Sequence, residues 1–200
     1  MYDESFWNSR YASDDYLYGT EPNTFLVEHF GDLKGPVLSL SEGEGRNAVF
    51  LASRGLEVIG TDISTVALEK ARKLAQLRGV EIKTVVADLA SFEPEENYYG
   101  SVVSIFAHLP SKVRQRLYPL IERSLKPGGI LLLEAYSENQ LSRETGGPKD
   151  VDMLMTVDKL RREFPNLEPI ILREVERSIA EGGAHSGMGS VVQFIAKKKV

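Results

Sequence analysis

The sequence predicts an α/β fold: a doubly wound, mostly parallel sheet with helices on both faces and an antiparallel strand at its C-terminal end. Three observations predict it. Short apolar runs alternate with helix-patterned segments through the first two thirds of the chain, as β-α-β crossovers require. Residues 37–62, VLSLSEGEGRNAVFLASRGLEVIGTD, read as strand, glycine turn, helix, strand and acid. The last two strand candidates are joined by a loop without a helix, so at least one of them runs antiparallel. A chain of 200 residues with no repeat and no linker is expected to fold as one domain.

In chain order, residues 1–20 gather Phe6, Trp7, Tyr11, Tyr16, Leu17 and Tyr18. They read either as an amphipathic segment closing the core or as a lid over a ligand. Residues 22–30 fit a helix capped by Thr20 or Asn23, with Phe25, Leu26, His29 and Phe30 on one face. Val37, Leu38 and Leu40 suit a buried strand, and Ala48, Leu51 and Ala52 recur at helix spacing. The next strand, from Leu56, ends at Asp62. Ser64 caps a helix over residues 66–78 that stops at Gly79. A strand over 81–87 ends at Asp88, and an acidic loop fills 91–99. A strand over 101–106 leads to His108 and Pro110. A helix from Pro110 and Ser111 to Leu125 meets a tight turn, Lys126-Pro127-Gly128-Gly129, before a strand over 130–135. A polar segment (136–150) and a helix (156–164) precede strands at 170–177 and 190–197. The glycine-rich loop 181–189 between them reads as a hairpin end or a mobile flap.

Composition excludes several classes. Net charge is −5, and the one basic run is Lys197-Lys198-Lys199, so neither nucleic acid nor an anionic membrane is an expected partner. The chain has no cysteine, and His29, His108 and His185 lie far apart, so no metal site is expected. No apolar run approaches about 18 residues and the acidic, aromatic start is unlike a signal peptide, which points to the cytoplasm. A monomer or homodimer is expected.

Gly43 and Gly45 let the backbone approach a ligand at a helix N-terminus, because no Cβ stands in the way. Asp62 lies 19 residues past Gly43, where a nucleotide-binding βαβ unit places the carboxylate that holds ribose hydroxyls. The unit predicts a nucleoside site. A glycine turn alone is shared by nicotinamide, flavin and S-adenosylmethionine (SAM) proteins. Asp88 at the third strand end, Ile105-Phe106 at the fourth and the turn at 126–129 narrow the choice.

With these motifs in place, the chain resembles class I SAM-dependent methyltransferases over roughly residues 20–200, and among them the small tellurite-resistance-type enzymes. Gly43-Glu44-Gly45-Arg46-Asn47 matches that group's GxGRN signature, and Val58-Ile59-Gly60-Thr61-Asp62-Ile63-Ser64 resembles its ribose-binding strand end. Ala87-Asp88-Leu89 resembles its adenine motif, and Leu125-Lys126-Pro127-Gly128-Gly129 is similar to its turn before the fifth strand. The resemblance implies a Rossmann-like seven-stranded sheet with an antiparallel last strand, and SAM as cofactor. The expected single domain then divides into an N-terminal lid segment (1–20), a SAM-binding core (36–135) and an acceptor-side segment with a C-terminal hairpin (136–200). By the same resemblance Gly43 and Gly45 lie against the methionine part, Asp62 binds ribose and Ile63 packs on adenine. Asp88 accepts from the adenine amino group, Leu89 contacts the ring, Phe106 stands at the strand-four end, and Arg46 orders the cofactor carboxylate or an N-terminal residue.

The family's first motif usually begins with an acid at the position of Ser39 and a glycine at Ser41. Here the acid is Glu42, which compensates by reaching the methionine ammonium or ordering it through water. Methyl transfer from a sulfonium needs proximity and water exclusion, and a base is optional. His108, Tyr136 and His185 are the catalytic candidates, with Glu134 and Tyr136 assigned to opposite faces of the sheet. The reading is methyl transfer to a small-molecule acceptor, soft or oxyanionic by the resemblance. Its alternatives are a non-catalytic module binding SAM or S-adenosylhomocysteine (SAH), and a nicotinamide-dependent oxidoreductase. The latter is disfavoured because the turn reads Gly43, Gly45, Ala48, without a third glycine.

Overall fold

The computed structural model describes residues 3–143, 145–183 and 185–199, and all but the side chain of His185 among them. Seven strands form one sheet: β1 (Val37–Leu40), β2 (Val58–Asp62), β3 (Lys83–Val86), β4 (Tyr99–Ile105), β5 (Leu125–Tyr136), β6 (Leu167–Glu181) and β7 (His185–Lys198). Their order is β3-β2-β1-β4-β5-β7-β6. The first five are parallel, whereas β7 runs antiparallel to both β5 and β6. The chain reverses its direction of winding between β1 and β4, which opens a crevice at the strands' C-terminal ends.

Six helices accompany the sheet: α1 (Glu4–Arg10), α2 (Thr24–His29), α3 (Arg46–Ser53), α4 (Thr65–Leu77), α5 (Ser111–Ser124) and α6 (Val157–Glu163). Asn23 caps α2 through Leu26 N, and Ser64 caps α4 through Ala67 N. The sheet's alternation sorts apolar residues onto two faces. Leu38, Val102, Leu131 and Leu133 join Leu117 and Ile121 of α5 and Leu160 of α6 on one. Val37, Val58, Val103 and Leu132 join Ala48 and Leu51 of α3 and Phe25 and Leu26 of α2 on the other.

Three readings change. The turn at 126–129 is a bulge inside β5: Tyr99 pairs with Leu125 and Ser101 with Ile130, so four residues loop out of the ladder. The loop at 181–189 is mostly strand, because β6 runs to Glu181 and β7 starts at His185. Its glycines serve close packing: a Cβ on Gly187 would stand 2.6 Å from Thr145 Cγ2, and one on Gly189 2.5 Å from Ile179 Cδ1. Finally, Glu134 and Tyr136 share a face, since residues two apart on a strand point the same way. Both lie on the side of Ile130 and Leu132.

Candidate functional site

A cleft of about 390 Å³ opens at the C-terminal ends of β1, β2 and β4, within the usual size range of small-molecule sites. Glu42, Gly43, Arg46, Asp62, Ile63, Asp88, Leu89, Phe106 and His108 all line it. β1 delivers the glycine turn, β2 delivers Asp62 and Ile63, and β4 delivers Phe106 and His108.

At the β1–β2 side, Gly43 has φ 62°, a left-handed conformation suited to glycine. Its N–H donates to Asp62 Oδ2 at 2.9 Å, and Ser64 N–H donates to Oδ1 at 2.8 Å. Ile63 N–H is a third backbone donor to this carboxylate, and a carboxylate has about four lone-pair sites, so Asp62 keeps acceptor capacity for a further hydroxyl. Burial pushes its pKa up, while the N–H donors of Ser64 and Gly43 oppose that. Asp88 accepts from Ala90 N–H at 2.8 Å at the exposed end of the cleft, beside buried Leu89.

Gly45 does not line the cleft. It has φ 96°, and a Cβ there would sit 2.7 Å from both Cα and Cβ of Ala71 in α4. Gly45 is therefore a packing glycine that lets α3 and α4 meet, which corrects its assignment to the methionine contact.

Glu42 is buried, and both its oxygens are engaged. Oε1 accepts from Ala48 N–H at 2.8 Å, satisfying an orphan donor in the first turn of α3, and Oε2 pairs with Ser39 Oγ. The acid that moved three positions along the chain thus folds back onto the position it left. Burial pushes its pKa up, against the hydrogen bonds from Ser39 and Ala48. Ser41 takes φ 47°, the conformation a glycine would hold there.

Arg46 pairs with Glu181 Oε2 at 2.5 Å and donates weakly to Glu21 O at 3.4 Å, so it engages the N-terminal chain. Glu181 also accepts from Asn23 Nδ2 at 2.9 Å and from Arg177 at 3.0 Å. Glu134, fully buried, accepts from Asn23 Nδ2 at 2.7 Å, Gln193 Nε2 at 2.8 Å and Arg177 Nε at 3.1 Å. This network ties α3's first residue to β5, β6 and β7 behind the cleft. Burial pushes Glu181 up, but the adjacent Arg46 and Arg177 guanidiniums hold it below the usual carboxylate range.

Residues 4–19 cross the mouth of the cleft, where Phe6, Trp7, Arg10, Tyr11, Tyr18 and Gly19 line it. Trp7 stacks on Tyr11 at 5.7 Å between ring centroids. A Cβ on Gly43 would stand 3.2 Å from the Tyr11 hydroxyl. Burial, and Asp62 nearby, push that hydroxyl's pKa well up, so it stays protonated. The segment is held at both ends. Asn8 Oδ1 accepts from Ser64 Oγ at 2.7 Å, and Lys70 donates to Ser13 O and Asp15 O while pairing with Glu44. The hairpin tip closes on residues 17–19, where a Cβ on Gly182 would collide with Leu17 O.

At the β4–β5 side, Met153 O faces His108 Nδ1 at 3.2 Å. A carbonyl can only accept, so Nδ1 carries the proton. Burial pushes the imidazole pKa down to about 4, so it is neutral at ordinary pH. Its Nε2 is buried and has no hydrogen-bond partner among the described residues. Tyr136 does not line the cleft. It is fully buried, stacks on His108 at 5.5 Å and 11°, and donates to Thr145 O at 3.3 Å. Burial pushes its pKa far up. It backs the His108 ring and is not among the residues that line the cleft, unlike the catalytic candidate His108. The side chain of His185 lies outside the described residues. Gly146, Gly147 and Pro148 border the cleft.

Residues 37–129 match the sequence model of a methyltransferase domain. Among similar proteins, the 2-heptyl-1-hydroxyquinolin-4(1H)-one methyltransferase of Mycobacteroides abscessus is 26% identical over 134 residues, 66% of this chain and 59% of that protein. The tRNA 5-carboxymethoxyuridine methyltransferase of Escherichia coli K12 is 30% identical over 123 residues, 58% of this chain and 46% of that protein. The crystal structure of TehB from Haemophilus influenzae superposes with TM-score 0.72 and 18% identity, over 98% of this chain and 67% of TehB, a likeness of fold. The chain thus spans about half to three fifths of the length of these curated relatives.

The cleft includes lining residues to which sequence reasoning gave no individual role: Glu44, Asn47, Leu109 and Met153. Glu44, between two glycines, was legible as part of the turn. Met153 had no signal, because it lies in a short 3-10 turn (Val151–Met153) after a polar segment without periodicity.

Proposed function

We propose that this protein transfers the methyl group of SAM to a small-molecule acceptor. The observation that carries the reading is the covered cleft: residues 4–19 lie across a mouth already walled by the strand ends, and the cleft of about 390 Å³ is of the size that small-molecule sites have. The site chemistry fits SAM. Asp62 has acceptor capacity left for a ribose hydroxyl, Ile63 and Leu89 offer apolar surface to a base, and Asp88 stands where an exocyclic amine can donate. When bound, SAM supplies a methyl group on a sulfonium, a good leaving group. Gly43 lets the backbone approach the cofactor, the aromatic segment 6–18 excludes water, and His108 orients the acceptor. Glu42 acts by holding the turn through Ala48 and Ser39, not as a free counter-ion to the ammonium.

A tRNA acceptor is the second reading, favoured by the likeness to the Escherichia coli enzyme. The net charge of −5 opposes it, since RNA binding rests on cationic surface. The absence of cysteine fits a cytoplasmic protein, and a monomer or homodimer is expected. The test is SAH release from SAM with a panel of hydroxy, thiol and amine small molecules, run beside bulk tRNA. Turnover of a small molecule with tRNA inert supports the proposal; tRNA methylation with every small molecule inert overturns it.

A further inference from the structure

The β4–β5 end of the cleft presents the His108 imidazole among apolar side chains. Phe106, Leu109, Pro148 and Met153 line it with apolar surface, and Phe106 lies 6.2 Å from the His108 ring. His108 is clamped in one tautomer: Met153 O takes the Nδ1 proton and Tyr136 stacks on the ring. Nε2 is thereby left as a pure acceptor, buried and unpartnered among the described residues. A buried polar atom without a partner is costly, and a ligand that satisfies it gains accordingly.

Charge sorts the ligands further. Glu42, Glu44, Asp62 and Asp88 line the cleft with Arg10 and Arg46; Arg46 is paired with Glu181 and Glu44 with Lys70, which leaves Glu42, Asp62 and Asp88 against Arg10. An anion entering there meets a net negative wall and a lone pair.

We propose that the acceptor is an uncharged, hydroxyl-bearing aromatic or heteroaromatic ring whose O–H donates to His108 Nε2, and that this end of the cleft rejects carboxylate and other oxyanionic acceptors. This rests on the reading of the cleft as a methyltransferase site and replaces the oxyanionic acceptor expected from the family resemblance. The neutral imidazole, with its pKa pushed down to about 4, keeps the lone pair available across the physiological range. His108 is then the residue that sets specificity: it selects a donor in a wall otherwise apolar.

Trp7, the chain's single tryptophan, lines the cleft and reports occupancy by its fluorescence. The experiment first confirms SAH binding by calorimetry, then titrates the SAH-loaded protein with 1-naphthol, 1-naphthoate and naphthalene. Absence of SAH binding would sink the methyltransferase reading itself, separately from this proposal. Expected is tighter binding of 1-naphthol than of 1-naphthoate by about tenfold or more, with naphthalene between, in line with one hydrogen bond of about 1.4 kcal/mol. His108→Phe, which keeps a ring on Tyr136 but has no acceptor, should abolish the preference of naphthol over naphthalene, and His108→Gln, with an amide oxygen, should restore part of it. SAH affinity should stay within about twofold in both variants, a pattern that a merely structural role does not give. Naphthoate binding as tightly as naphthol, no naphthol binding at millimolar concentration, or an unchanged preference in His108→Phe would each overturn the proposal.

Discussion

Ser41 holds φ 47° at the start of the glycine turn, where a side chain costs about 1–2 kcal/mol relative to the right-handed region. Replacing it with glycine removes that strain but adds chain entropy to the unfolded state, about 0.5–1 kcal/mol. Ser41→Gly is therefore expected to stabilise the protein by up to about 1 kcal/mol, a rise in Tm of about 2–4 °C by calorimetry. A fall in Tm would show that the Ser41 side chain holds the turn. His108 makes a second prediction at this scale. Its native pKa of about 4 lies below the unfolded value near 6.5, so below pH 6.5 the unfolded state takes up a proton that the native state does not. Stability is lost as pH falls from about 6.5 to about 4, by about 3 kcal/mol in total. Urea denaturation across that range should show this loss in wild type, and His108→Gln should lack it. Equal slopes in the two proteins would mean that His108 is solvated.

At the scale of elements, the contact between α3 and α4 turns on Gly45. Gly45→Ala would place a methyl 2.7 Å from the backbone of Ala71, so α3 must shift away from α4 and carry the glycine turn with it. The expected result is destabilisation of about 2 kcal/mol or more together with weakened SAM binding, read by melting and titration. The charge network behind the cleft makes a parallel case. Arg177→Ala leaves Glu134 buried without its guanidinium and should cost about 3–5 kcal/mol, whereas Gln193→Ala, removing one neutral donor, should cost about 1–3 kcal/mol. Comparable losses would show that the charge pairing contributes little.

The same elements show what the sequence could and could not convey. β1, β2 and β4 are apolar runs buried on both faces, so composition alone marks them to within two residues. β6 and β7 extend further than expected because their antiparallel pairing continues past both expected ends, from Leu167 with Lys198 to Glu181 with His185. Asp62, Ile63, Asp88 and Leu89 were legible because a βα turn fixes their spacing. The places of Gly45 and Tyr136 were not legible because they depend on what stands opposite, Ala71 in one case and His108 in the other, and that pairing is set only when distant segments pack. The network of Asn23, Glu134, Arg177 and Glu181 joins residues up to 158 positions apart and has no local signature beyond the need for Glu134 to be paired.

For the whole molecule, the winding order places one crevice at the reversal between β1 and β4, and the N-terminal segment covers it. Among the described residues no helix is long and apolar enough to cross a membrane. We propose that this crevice holds SAM through the Gly43 turn and Asp62. It is tested most directly by calorimetric titration of SAM and SAH into wild type and Asp62→Ala, with nicotinamide nucleotides as controls. The prediction is micromolar binding of both ligands to wild type, weakened at least about 30-fold (about 2 kcal/mol) in a folded Asp62→Ala, and no binding of the nicotinamides. Binding of a nicotinamide nucleotide in place of SAM, or SAM affinity unchanged in Asp62→Ala, would contradict it.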